Sequence, residues 1–202
     1  MTPQLQLRFS RDRRGGKRKN AGRRPAGARA GVSHRARVRF ARTLPVHVTV
    51  RMAKHVYNLR SRRCFSAVGR ALSAAGERFG MRIVQFSVQG NHMHLVVEAT
   101  TSDALSQAMH GLGVRVAKAL NRVMHRRGRV LADRYHARPL RTPTEVRRAL
   151  VYVRDNFEHH SGERLGRDPC SSADGAIDLP QPRTWLLRIG WRRAPPGSAR
   201  PP

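Results

Sequence analysis

The chain has 202 residues and a formal net charge of +29, from 41 Lys and Arg against 12 Asp and Glu. This length holds one domain with terminal extensions, and the charge predicts a polyanionic partner, most simply nucleic acid. Two cysteines without CxxC spacing exclude a zinc ribbon and a disulfide scaffold, and no apolar run is long enough for a membrane span or a signal peptide. We therefore expect a protein of the reducing cytoplasm, associated with the nucleoid and without a membrane partner.

Residues 1–43 form a basic segment with fourteen Lys and Arg, one Asp and no apolar period. This composition predicts a disordered arm that adds salt-sensitive affinity for nucleic acid of any sequence. A solubilising tail or an overextended start codon would explain the same composition. At the other end, residues 163–202 are predicted to be a loose tail, in which the Trp-rich segment 185–191 could dock on the domain.

Residues 44–162 show the periodicities of strands and helices that are expected of one folded domain. In chain order, the pattern predicts a strand at 44–52, a helix at 65–79 closed by Gly80, strands at 81–88 and 92–98, a helix capped by Ser102 or Asp103, a short strand or hairpin within 130–141, and a helix from Thr142. The order β-α-β-β-α-β-α is typical of an α+β sandwich with helices on one face of an antiparallel sheet.

Two histidines flank one apolar residue at His92-Met93-His94, inside a predicted strand. Residues two apart on a strand face the same side, so both imidazoles point one way at a spacing that suits a divalent metal. A lone His-x-His pair on a strand is often only structural. The surrounding sequence must therefore decide between a metal site and a packing role.

The last predicted helix supplies that context. It begins at the capping box Thr142-Pro143-Thr144-Glu145, and Tyr152 lies at the edge of its apolar stripe. Asn156 follows one turn later on the same side, about 6 Å away. A His pair and a helical tyrosine in a very basic chain predict cleavage of nucleic acid through a phosphotyrosine bond.

Cations without neighbouring acids mark a candidate phosphate-binding surface. Four of them recur at helical spacing on the second predicted helix: Arg115, Lys118, Arg122 and Arg126. A charged helix face is usually only solvated, but the absence of any acid among these four favours contact with phosphates.

The segments Gly90–Val97 and Tyr152–Asn156 resemble the single-tyrosine HUH transposases, of the type found in REP-associated tyrosine transposases and small single-strand-transposing insertion sequences. Between them, Asp133–His136 and Leu140-Arg141 resemble the aromatic and arginine segment of that family. The resemblance covers roughly residues 44–160. It implies a ferredoxin-like βαββαβ-type HUH domain with a C-terminal tyrosine helix.

Carried over to this chain, the resemblance implies that His92, His94 and Asn156 bind Mg²⁺ or Mn²⁺, although two histidines also admit zinc. Tyr152 would be the nucleophile. Further implications are cleavage and rejoining of single-stranded, hairpin-bearing DNA, DNA contacts by Arg138 and Arg141, and a homodimer as one of the assemblies that relatives form. One departure is visible, because relatives of the REP-associated type usually have Asn-Pro where this chain has Asn156-Phe157.

Several alternatives remain open at this stage. Tyr135 is a rival nucleophile, His47 is either a support of the site or a surface residue, and Glu98 is expected at the rim of the site, where a water-mediated metal contact is conceivable. The alternative functions are a domesticated, non-catalytic module that binds DNA hairpins and a basic RNA-binding protein with a structural His pair.

Overall fold

The computed structural model describes residues 38–161 and 167–195. Most of the predicted basic arm (residues 1–37), together with residues 162–166 and 196–202, lies outside this description. The elements are β1 (Leu44–Arg51), α1 (Arg62–Ala74), β2 (Glu77–Arg78), β3 (Met81–Val88), β4 (His92–Ala99), α2 (Ser102–Val123), β5 (His136–Pro139), α3 (Pro143–Ser161) and α4 (Trp185–Arg188), with 3₁₀ turns at Ser172–Asp174 and Gly190–Arg193.

The five strands form one sheet in the order β2-β3-β4-β1-β5, and every pairing is antiparallel. The α+β prediction is therefore confirmed. β4 is the central strand, between β1 and β3. It pairs with β1 from His92 to Ala99 and with β3 from Met93 to Ala99, with a register shift between Ile83 and Gln85 of β3. The His pair thus lies on the most constrained strand of the sheet.

The two faces of the sheet carry different helices. Met93, Leu95 and Val97 of β4 belong to the larger core, which also contains the apolar faces of α1 and α2. Val96 belongs to a second cluster with Val153 and the buried stripe of α3. Because successive strand residues alternate between faces, β4 presents its histidines on the side of α3.

Local hydrogen bonds explain where the helices begin. Thr142 Oγ1 accepts the Glu145 amide at 3.2 Å, and Glu145 Oε2 accepts the Thr142 amide at 3.1 Å, which is the predicted capping box. Helix α2 is capped by Thr101, whose Oγ1 accepts the Ala104 amide at 3.1 Å, so the predicted cap at Ser102 or Asp103 is wrong by one or two residues. The side chain that reaches the amide decides the cap.

Helix α1 ends earlier than the apolar pattern predicts. It stops at Ala74, and the predicted last turn instead forms β2 and a tight turn into β3. Phe79 and Gly80 both adopt positive φ, of 52° and 72°, in that turn. Gly80 is needed there because a Cβ would lie 2.6 Å from Thr100 Oγ1. This glycine therefore joins two strands and does not close the helix.

Residues 167–195 pack on the domain at two buried carboxylates. The carboxylate of Asp168 accepts hydrogen bonds from both terminal nitrogens of Arg60, at 2.7 and 3.1 Å. Glu98 accepts hydrogen bonds from the amides of Arg183 and Thr184 and forms an ion pair with Arg82 at 2.9 Å.

On the N-terminal side, the carbonyl of Phe40 accepts a hydrogen bond from the amide of Ser102 at 3.1 Å, so the chain already contacts the domain ahead of β1. Within the described ranges, no helix has both the length and the apolar character needed to cross a membrane.

Candidate active site

The His pair occupies the start of β4, on the face that α3 covers. The ring centroids of His92 and His94 are 4.8 Å apart and the rings are nearly perpendicular, at 86°. His94 lies opposite Thr49 of β1 and Ser87 of β3, so its backbone is held from both sides. The predicted same-side placement of the two imidazoles thus agrees with the geometry.

Hydrogen bonds at the Nδ1 atoms orient the rings of His92 and His94. Nδ1 of His94 is 3.2 Å from His47 Nε2 and 3.2 Å from Thr49 Oγ1, and Nδ1 of His92 is 2.7 Å from Asn91 Oδ1. Metal-binding histidines are commonly oriented by such bonds through the second ring nitrogen. The arrangement is suited to present both imidazoles to one ion.

His47 is buried beneath the site and stacks on His94 with ring centroids 5.3 Å apart. Burial, together with the nearby positive charges of His136 and Arg138, lowers the pKa of His47 from 6.5 to about 4. His47 is consequently neutral near pH 7 and can serve as an uncharged hydrogen-bonding support for His94. The surface alternative for His47 is wrong.

Tyr152 meets the His pair from α3. Its ring centroid is 5.1 Å from that of His94 at 86°, and 5.8 Å from that of His47. The α3 stripe, with Val146 and Val153 in the second core cluster, fixes the rotation of the helix. That rotation brings the predicted tyrosine into contact with His94, one of the two predicted histidines.

Asn156, one turn after Tyr152, has a fully buried side chain. Among the described residues, neither Oδ1 nor Nδ2 of this amide has a hydrogen-bond partner. A buried amide without partners costs about 1–3 kcal/mol, so a protein rarely retains one without a purpose. Coordination of a metal ion by the amide oxygen would explain the unpaired Oδ1.

The donor set is compatible with a divalent ion. The described part of the chain holds no group of three His, Cys, Asp or Glu side chains arranged for metal binding. A three-residue site here therefore needs at least one ligand of another type, and Asn156 is the amide that the resemblance implies beside His92 and His94. Two imidazoles and one amide oxygen are neutral ligands that leave room for phosphate oxygens on Mg²⁺ or Mn²⁺.

The end of the tyrosine helix has its own support. The guanidinium of Arg60 lies 3.6 Å from the centroid of the Phe157 ring while its nitrogens bind Asp168 and the carbonyl of Val88. Phe157 is the residue that departs from the family pattern. In this chain it contributes a cation–π contact next to Asn156.

The predicted DNA-binding cations do not lie together. Arg115, Lys118 and Arg122 are exposed, and Arg126 is half-buried, at α2 and its C-terminal end. Helix α2 packs on the opposite face of the sheet from Tyr152. The two remaining predicted cations, Arg138 and Arg141, are exposed on the other side of the molecule, at β5 and at the start of α3.

The remaining candidates separate clearly. Tyr135 packs against the α1–α2 core, across the sheet from the His pair. Glu98 is 2% exposed and fully engaged with Arg82 and the backbone before α4, so its expected position at the rim is wrong. His136, which the sequence reasoning left without a role, pairs with Thr49 in register and so shares the face of His47. Only the register of β5 could have revealed it.

A cavity of about 470 Å³ opens beside His92. Its other lining residues are Asn58, Gln89, Gly90 and Asn91, all polar or glycine. The tight turn between β3 and β4 therefore leaves His92 accessible to a polar ligand from this side, while His94 is buried.

Three comparisons place this geometry among known proteins. The family model of IS200-like transposases matches residues 42–156, which include His47, His92, His94, Tyr152 and Asn156. The solved structure of a REP-associated tyrosine transposase bound to a REP hairpin is similar with a TM-score of 0.58 and 15% identity, over 69% of this chain and 82% of that chain. A structure from Deinococcus radiodurans R1, described as that of a candidate transposase, aligns with a TM-score of 0.41 and 15% identity, over 54% of this chain and 87% of that chain.

No curated protein matches the chain. At 15% identity the structural likeness supports the fold alone, and the family follows from the model that matches more than half of the sequence. The chain belongs to the IS200-like transposase family.

Proposed function

We propose that this protein cuts and rejoins single-stranded, hairpin-bearing DNA through a 5′-phosphotyrosine on Tyr152. The observation that carries the proposal is the contact of Tyr152 with His94, 5.1 Å between ring centroids, next to the buried amide of Asn156. A packing tyrosine would explain the contact but not the buried amide one turn further on.

In the proposed reaction, Tyr152 Oη attacks the scissile phosphorus as its phenolic proton is lost to solvent. The bond between phosphorus and the 3′ oxygen breaks, and that oxygen takes up a proton and leaves as a 3′-hydroxyl. The phosphotyrosine retains the energy of the broken ester, so a second 3′-hydroxyl can reverse the step and join strands without ATP. A Mg²⁺ or Mn²⁺ ion held by His92, His94 and Asn156 would supply charge that stabilises the reacting phosphate.

The distribution of cations suggests how the DNA lies. Arg138 is on the edge strand beside β1, opposite His47 in register, where it can contact phosphates near the scissile one. Arg141 is exposed at the start of the tyrosine helix and can bind the same strand. The exposed α2 cations lie across the sheet, so they would bind a different part of a DNA that extends around the domain.

The test is covalent adduct formation on labelled hairpin DNA at fixed Mn²⁺, read on a denaturing gel. Wild type and Tyr135→Phe should form the adduct, and Tyr152→Phe should lose it while still binding the hairpin, because only one hydroxyl is removed. His92→Ala should also lose it, and wild type should lose it in EDTA. A fully paired duplex should not be cut.

Adduct that survives in Tyr152→Phe and disappears in Tyr135→Phe would move the nucleophile to the other face of the sheet. Absence of adduct from wild type and from both tyrosine variants on the correct hairpin would instead favour the non-catalytic DNA-hairpin-binding module. Tighter binding to structured RNA than to DNA would favour the RNA-binding alternative.

A further inference from the structure

A second basic and aromatic surface lies outside the region that the family model matches. We call it the Trp–Arg surface and define it by Trp185, Arg188, Arg192 and Arg193, all of which are exposed. Residues 184–195 include no acidic residue. Arg183, just before this segment, is excluded from the Trp–Arg surface because it forms an ion pair with Glu77 at 3.3 Å.

The indole of Trp185 is held in place although it is 49% exposed. Its six-membered ring packs directly on Gly190, where a Cβ would lie 2.6 Å from Cζ3 and 2.8 Å from Cε3. The guanidinium of Arg193 lies 5.5 Å from the centroid of the indole. Any side chain at position 190 would push the ring away. The exposed indole can therefore pack in this position only because residue 190 is glycine.

The surface lies on the same side of the sheet as the tyrosine helix. Leu187 is buried in the cluster that contains Val96 and Val153, and Trp191 and Tyr152 pack against that cluster. Glu98 holds the start of α4 through the Thr184 amide, at 2.6 Å. Glu98 is four residues after His94 on β4, roughly 13 Å along the strand. A strand of nucleic acid that leaves the site can therefore reach the surface.

We propose that the Trp–Arg surface binds the single-stranded DNA adjacent to the hairpin, with one base stacked on Trp185 and phosphates on Arg188, Arg192 and Arg193. Stacking on an exposed aromatic beside arginines is how proteins hold single strands without reading their sequence. Arginine forks also match phosphate geometry. The proposal rests on the substrate class of the proposed function and is independent of cleavage.

The test measures the affinity of the full chain for a short labelled oligo(dT), without a hairpin and in EDTA, by fluorescence anisotropy. Because no chemistry occurs in this assay, its outcome does not depend on whether Tyr152 is the nucleophile. We expect Trp185→Ala to weaken binding roughly 5- to 150-fold, the range expected for loss of one stacked base. Gly190→Ala should weaken it in the same range by displacing the ring, and Trp185→Phe should retain most of the affinity.

Phe79 provides a matched control, since it is 58% exposed and lies 5.7 Å from the Arg78 guanidinium, but it packs near Gly111 on the α2 side. Phe79→Ala should bind like wild type. Unfolding midpoints verify each fold, and if Trp185→Ala does not fold, Gly190→Ala decides. Wild-type affinity in both Trp185→Ala and Gly190→Ala overturns the proposal. The proposal is also overturned if Trp185→Ala loses as much affinity for polyglutamate as for oligo(dT), because polyglutamate has no bases to stack.

Discussion

We predict that Asn156 lowers the free energy of unfolding in the absence of metal and is retained because it binds the metal. Its amide is fully buried, and within the described ranges both polar atoms are without hydrogen-bond partners. Replacing such a group by an apolar one of similar volume removes a desolvation cost of about 1–3 kcal/mol. We therefore expect Asn156→Leu to raise the free energy of unfolding in EDTA by about 1–3 kcal/mol, while it abolishes adduct formation.

The assay is urea unfolding followed by circular dichroism, with and without Mn²⁺. Mn²⁺ should stabilise wild type, because a ligand that binds only the folded state adds to its stability, and it should leave Asn156→Leu unchanged. Asn121 on α2 is the control and differs from Asn156 in one respect, since its Nδ2 donates to the Gly128 carbonyl at 2.9 Å, although its Oδ1 is likewise buried without a partner among the described residues. Asn121→Leu loses that hydrogen bond but also removes the unsatisfied oxygen, so it should change stability by less than about 1 kcal/mol and keep the Mn²⁺ response.

A loss of stability in Asn156→Leu in EDTA would refute this reasoning, because it would show that the amide makes stabilising contacts in the absence of metal. An unchanged Mn²⁺ response in the same variant would remove Asn156 from the ligand set. The two readouts are separable, so each part of the argument can fail by itself.

Two further predictions concern charge. Asp168→Asn should cost about 3–5 kcal/mol in urea unfolding, because the Arg60–Asp168 side chains are only 14% and 4% exposed and one charge is left buried. Asp155→Asn, which breaks the Arg154 pair at 57% and 29% exposure, should change stability by less than about 1 kcal/mol, and equal effects would contradict the burial argument. Deleting residues 1–37, with twelve Lys and Arg and one Asp, should weaken binding to all DNA sequences and flatten the dependence of log affinity on log salt. A change in the choice of hairpin would show instead that the arm reads sequence.

The parts of the fold that the sequence predicts well depend on local signals. β3 begins and ends where the sequence predicts a strand, at residues 81–88, and α3 begins at its capping box. The His pair and Tyr152 could be proposed together because strand and helix periodicity each place a side chain on a known face. In these cases the residues that determine the structure are within a few positions of each other.

The parts that the sequence does not predict depend on distant partners. The environment of His47 arises from pairing with β4 and β5, far along the chain, so its burial has no local signature. Arg60 and Asp168 are 108 residues apart, and Glu98 and Thr184 are 86 apart. Periodicity carries no information about such pairs, which is why residues 167–195 read as loose.

The Arg60–Asp168 pair has a consequence for how this sequence can diverge. An unpaired buried guanidinium or carboxylate costs several kcal/mol, so a lineage that loses one partner is under pressure to lose the other. Arg60 also stacks on Phe157, the residue after Asn156. We therefore expect positions 60, 157 and 168 to vary together among relatives. Chains with proline at 157 should lack this arginine–carboxylate pair and attach their C-terminal residues by other contacts.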